Sequence, residues 1–202
     1  MIGDYIPTAT QKTIEESILL LKKKLEELNV RLDPKNINKD EFSEIFKSSY
    51  YTILRSHKKE KIRAAVNLIL NILLKDRDPD KLCFTEVDHF SKCIEQLSIG
   101  SYIVLTTAIE ITNIKFDEKI QKELKSNVFN DRRFNFNALV KRLPQLPPSL
   151  LMGLVGELDS MNLLHRAGPP PVRIHSYGNY PIELTAIGVK FVFYLIDQNE
   201  NS

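Results

Sequence analysis

Hydrophobic positions near the start of the chain recur with the period of an α-helix. Downstream of Thr8 and Thr10, either of which suits a helix cap, the stretch QKTIEESILLLKKKLEELNV spaces Ile14, Ile18, Leu21, Leu25 and Leu28 alternately four and three residues apart. That is an a/d stripe, the pattern of a helix that buries one seam. Glu15 and Glu16 fall early and Lys22, Lys23 and Lys24 late, the order a helix dipole favours. The stripe lasts only two to three heptads, too short for an isolated coiled coil. It is therefore expected either to pair with a second copy, giving a homodimer, or to pack within its own bundle.

Asp33 and Pro34 end that pattern. A second helix follows, with Phe42, Ile45, Phe46, Tyr50, Ile53 and Leu54 on one side. A third, over about 58–75, is apolar nearly all round after Ala64 and is expected to be the central, most buried one. Two more are expected over about 85–98 and 100–112. Thr85 with Asp88 forms a capping-box variant for the first of them, and Ser98 or Ser101 caps the second. The polar stretch KFDEKIQKELKSNVFNDRR then places a domain boundary near residue 126, with Phe116, Ile120 and Leu124 marking a short linking helix.

Beyond that boundary the pattern changes character. FNFNALVKRLPQ reads as a short strand and a helix ended by Pro144. Pro147 and Pro148 then open a second helix, where proline fits best. Leu151, Leu154, Val155, Leu158 and Met161 supply its buried face. LLHRAG reads as a strand, PPPVRIHSYGN as a loop, and YPIELTAIGVKFVFYLI as a strand, a Thr185 cap and a final apolar helix. The expected fold is mainly α: a helical bundle over 1–125, then a winged helix-turn-helix domain over 126–202 with a small β-hairpin.

The segments LVGELDSMNLLHRAG and YPIELTAIGVKFVFYL resemble the winged-helix domains of MarR- and PadR-like regulators. Leu154, Leu158, Leu163 and Leu164 match the apolar positions of that pattern, and Thr185 and Gly188 match the Thr and Gly that open the helix after the wing. Asn162 stands where those domains usually carry Gly, a substitution compatible with a left-handed helix end. The resemblance spans about 133–197. The whole layout, with FTEVDHFSKCIEQLSIGSYIVL ahead of the winged helix, also resembles abortive-infection alpha-type proteins of bacteria and phage. The first resemblance implies transcriptional control through DNA; the second implies a phage-related protein that contacts proteins instead.

Composition adjusts this picture. Of the residues, 43% are hydrophobic and 27% charged, ordinary for a globular chain. Net charge is only +2, so a nucleic-acid partner needs a local basic patch. The longest apolar run, AAVNLILNILL, is interrupted by Asn67 and Asn71 and is short for a membrane span. With no signal-like start, the chain is expected to be cytoplasmic. Cys83, His89 and Cys93 offer three metal ligands without a fourth, so no metal and no cofactor is expected. No nucleophile motif, phosphate-binding loop or dinucleotide turn occurs, which argues against an enzyme.

Candidate DNA contacts are His165, Arg166, Arg173 and His175 around the wing, with Arg132, Arg133, Lys141 and Arg142 before it. The basic turn RSHKKEKIR, between the second and third helices, is read as a solvated face rather than a phosphate grip. Against DNA, the block 126–202 holds seven Lys and Arg and six Asp and Glu. Phosphate neutralisation dominates DNA affinity, and so balanced a block supplies little of it. The helix from Pro148 also lacks the Arg, Lys, Asn and Gln that read base edges, and offers a small face of Ser149, Met152, Gly153 and Gly156. A DNA-binding, transcription-regulatory role with weak contacts to double-stranded DNA is the first expectation, because that is the commonest role of the fold. The alternative is a protein-interaction module that does not bind DNA.

Overall fold

The computed structural model of the chain describes residues 6–27, 58–73, 84–114, 132–168 and 178–195, together with the single positions 43, 47, 49 and 51. The expected second helix is represented only by those four positions, all helical. The linking helix at 116–124, the loop centre with Arg173 and His175, and the expected boundary at 126 lie outside the described residues. The chain divides into two compact units, Met1–Gln96 with Tyr194–Ser202, and Leu97–Phe193.

The first unit contains α1 (Ile6–Glu27), α2 (Lys59–Leu73) and α3 (Phe84–Gln96). α2 packs on both α1 and α3. As the apolar run implied, Ala64, Ala65, Val66, Leu68, Ile69 and Leu70 of α2 are all buried. Asn67 is buried among them, and its side-chain amide donates to the carbonyl of Leu195 at 2.8 Å, so the polar group keeps a partner. α3 contributes Val87, Phe90, Cys93 and Ile94 to the core.

α1 is rotated relative to its expected seam. Ser17 is buried, and Leu20, Leu21 and Lys24 are half-buried, so the side that includes Ser17 is the covered one. Ile18 is 60% exposed and Leu19 is 67% exposed. Of the five stripe residues, Ile18 faces out and Leu21 is half-covered; Leu28 and the side chains of Ile14 and Leu25 lie outside the description.

The second unit contains α4 (Ile99–Ile111), β1 (Arg133–Asn135), α5 (Phe136–Arg142), α6 (Pro148–Ser160), β2 (Leu164–Arg166), β3 (Pro181–Leu184) and α7 (Ala186–Leu195) through Phe193. The expected hairpin of β2 and β3 gains a third strand. The sheet order is β1-β3-β2, and both pairings are antiparallel. Phe134 lies opposite Ile182 in one pairing and Arg166 opposite Ile182 in the other, so β3 is central. β3 alternates, with Ile182 and Leu184 buried and Pro181 and Glu183 half-exposed, as a sheet with one covered face requires.

α6 packs on α4, α5 and β2. Gly100 permits the close crossing with α4, since a Cβ there would lie 3.0 Å from the Leu154 methyls. The buried residues Leu105, Phe136, Leu139, Leu151, Val155, Leu158, Leu163, Val189 and Phe191 form the core of this unit. The Tyr102 and Phe191 rings meet at a centroid distance of 5.8 Å, tying α7 to α4.

Helix ends follow local chemistry. α6 stops at Asn162, whose φ of 56° is left-handed. Leu163 N–H donates back to Leu158 O at 2.9 Å and Asn162 N–H to Asp159 O at 3.0 Å, the paired bonds of a Schellman end. α4 ends the same way at Asn113, with φ 51° and bonds from Ile114 to Ile109 and from Asn113 to Glu110. Thr185 caps α7, its Oγ1 accepting from Gly188 N at 2.9 Å. The same hydroxyl reaches the carbonyl oxygens of Asn162 at 2.6 Å and Leu163 at 3.0 Å.

Candidate interaction surface around α6

α6 has an inner face and an outer one. Leu151, Leu154, Val155 and Leu158 are buried. Pro148, Ser149, Gly153 and Ser160 are exposed, Leu150 is 48% exposed, and Met152 and Gly156 are half-exposed. Nothing lies within 4 Å of where a Gly153 Cβ would stand. The side chains of that outer face are therefore small, uncharged and poor in hydrogen-bonding groups, Ser149 and Ser160 being the polar ones. The Arg166 guanidinium borders it, 3.8 Å from where a Gly156 Cβ would stand.

The two carboxylates of α6 are engaged within the unit. Glu157 caps the start of α4: its carboxylate accepts from Ser98 N at 2.5 Å, Ser98 Oγ at 3.0 Å and Ser101 Oγ at 2.8 Å. Ser98 Oγ also accepts from Ser101 N at 3.2 Å, so the expected serine cap forms and the glutamate reinforces it. A carboxylate at a helix N-terminus satisfies orphan N–H groups and complements the dipole.

Asp159 holds Arg166. Its two oxygens accept from Arg166 N at 3.2 Å and from Arg166 Nε at 2.8 Å. His165 Nδ1 stands 3.4 Å from Asp159 Oδ1. Partial burial raises the Asp159 pKa, but the Arg166 hydrogen bonds, with the charges of Arg166 and His165, outweigh it, and the carboxyl sits below its usual value.

The candidate DNA contacts are thus distributed unevenly. Arg133 pairs with Glu183, the residue directly opposite it across the sheet, at 3.1 Å. Arg166 is committed to Asp159. Arg142 is exposed and 4.0 Å from Glu110, also exposed, a geometry that contributes little. Lys141 is exposed and Arg132 half-buried. Lys141 and Arg142 share the last turn of α5. The Asp159–Arg166 and Glu157–Ser98 links were not read from the sequence. Their separations of 7 and 59 residues match no local rule. The Arg133–Glu183 pair would have followed from placing β1 beside β3.

Among the described residues no group of three or more His, Cys, Asp and Glu is placed to hold a metal ion, and Cys83 lies outside them. Cys93 Sγ is 3.6 Å from His89 Nε2. Burial pushes the Cys93 thiol up from 9.0 to about 12, against a smaller lowering by a backbone hydrogen bond. The folded thiol holds its proton more tightly than the unfolded one, so its contribution to stability declines as pH rises above 9.0 toward about 12. Iodoacetamide at pH about 8.5 is expected to leave native Cys93 unlabelled and to label it readily in denaturant, read by peptide mass spectrometry. Ready labelling of the native protein would contradict that burial.

Among the described residues no helix is long and apolar enough to cross a membrane. No protein-family model, curated protein or solved structure matches the chain.

Proposed function

We propose that the unit Leu97–Phe193 is a winged-helix module that contacts a protein through the outer face of α6, and that reading DNA sequence is not its role. The succession of helix, strand, helix, helix, strand, strand, with a three-stranded antiparallel sheet of order β1-β3-β2, supports the winged-helix reading. Fold alone does not select a ligand. The observation that carries the choice is charge: Asp159 and Glu183 neutralise Arg166 and Arg133, the cations on the strands β2 and β1. The helix in the recognition position adds no cation and no amide side chain on its outer face. Such a surface cannot make the bidentate contacts that distinguish guanine or adenine, and it neutralises few phosphates.

The second reading is sequence-independent contact with double-stranded DNA, favoured by exposed Lys141 and Arg142 at the end of α5. A titration of the full chain against generic duplex DNA at several salt concentrations separates the two. The expected result is binding no tighter than about 100 µM at physiological salt, the weak end of non-specific affinities. Micromolar binding with a steep salt dependence, reduced by Lys141→Ala with Arg142→Ala, would overturn the protein-contact reading in favour of DNA.

A further inference from the structure

α1 presents to solvent a face that is complementary to itself. Leu19 lies at its centre, opposite the covered side marked by Ser17, with Ile18 at the edge. Charges around Leu19 are antisymmetric. Glu16 and Lys22 stand three residues to either side, Glu15 and Lys23 four, and Lys12 and Glu26 seven. Steps of three, four and seven return to one helix face, so these residues flank Leu19 on the same surface. All six charged residues are exposed. Lys12 and Glu16 are 3.9 Å apart, as are Lys22 and Glu26, each a loose pair one turn long.

We propose that two copies of the chain associate through α1 in antiparallel register, with the two-fold axis at Leu19. In that register Leu19 meets Leu19 of the second copy, Glu16 meets Lys22, and Lys12 meets Glu26. The two loose pairs become four-membered charge rings on either side of an apolar centre. Parallel pairing in register sets Glu16 against Glu16 and Lys22 against Lys22, so like charges exclude it. This interface uses the outward face at Leu19 rather than the seam of Ile14, Ile18, Leu21, Leu25 and Leu28, and it is independent of what α6 contacts.

Its apolar centre is small, so association is weak and salt-sensitive, with a dissociation constant on the order of 100 µM at low salt. Sedimentation velocity on the intact chain, over a concentration series at low and high salt, measures it. The expected result is reversible dimerisation that weakens at least about tenfold in high salt and is abolished by Leu19→Glu. Glu16→Lys alone and Lys22→Glu alone each place like charges across the axis and are expected to be monomers. An equimolar mixture of those two variants restores opposite charges and is expected to dimerise. This rescue also shows that both variants fold. A wild-type chain that stays monomeric into the millimolar range, single variants that dimerise like wild type, or a mixture that fails to associate would each overturn the proposal.

Discussion

Replacing Gly188 by alanine is expected to destabilise the second unit by about 3–5 kcal/mol, among the largest effects of any single methyl group in this chain. A Cβ at that position would stand 2.9 Å from the Leu163 carbonyl carbon and 3.2 Å from its Cα, and closer still to the carbonyl oxygen. The obstacle is backbone, which cannot rotate away as a side-chain tip does. Leu163 also closes the Schellman end of α6, and its carbonyl accepts from Thr185 N at 3.4 Å. Moving it would disturb the end of α6, the start of β2 and the cap of α7 together.

Thermal or urea unfolding measures the effect, and a fall in Tm of about 10 °C is expected for a chain of this size. Gly153→Ala is the internal comparison. Nothing lies near its Cβ position and the residue sits within α6, so alanine should stabilise by roughly 0.5–1 kcal/mol through helix propensity. If both substitutions changed stability equally, the close packing of α7 on Leu163 would be wrong.

Glu157→Ala is expected to destabilise by about 2 kcal/mol, because its carboxylate takes three hydrogen bonds from the start of α4. Their loss leaves Ser98 N–H to water and removes a negative charge from the positive end of a helix dipole. Glu157→Gln keeps an acceptor in place and should fall between wild type and alanine. Ser98→Ala removes the three contacts of Ser98 Oγ, with Glu157, Ser101 N and Ser101 Oγ, while leaving the bond from Ser98 N, and a smaller loss of about 1 kcal/mol is expected. Unfolding of these three variants under one set of conditions gives the order. A Glu157→Ala protein as stable as wild type would mean that the carboxylate adds nothing to the serine cap.

The bond of Glu157 to Ser98 also bears on what α6 can do. An outward glutamate on that helix would repel phosphate, or accept a hydrogen bond from cytosine. Its carboxylate is instead engaged by Ser98 and Ser101, and the outer face of α6 is left to Pro148, Ser149, Leu150, Gly153 and their neighbours. The stability prediction rests on that side-chain orientation.

Periodicity and local chemistry by themselves determined a large part of this protein. The apolar run in α2, the proline start of α6, the Thr185 cap and the left-handed Asn162 all depend on residues within a few positions of one another. Such interactions are written in spacing and residue type, so they can be read without knowing what packs where. The short strand before α5 was legible but its pairing was not, because three residues of RFN carry too little alternation to announce a partner strand 48 positions away.

Tertiary structure alone decided which side of α1 is covered and which charges are cancelled. α1 packs on α2 with Ser17 covered and with Ile18 and Leu19 outside. Arg133, Arg166 and Glu157 carry no sign in the sequence of which charge each will meet, all lying in a balanced block. Only the approach of β1 to β3, of β2 to the end of α6, and of α6 to α4 gives each of them its partner. Charges act over a few ångströms of space, whereas sequence patterns register only neighbours along the chain. The composition of α6 left its outer face without a cation, and the fold decided which charges around it are paired.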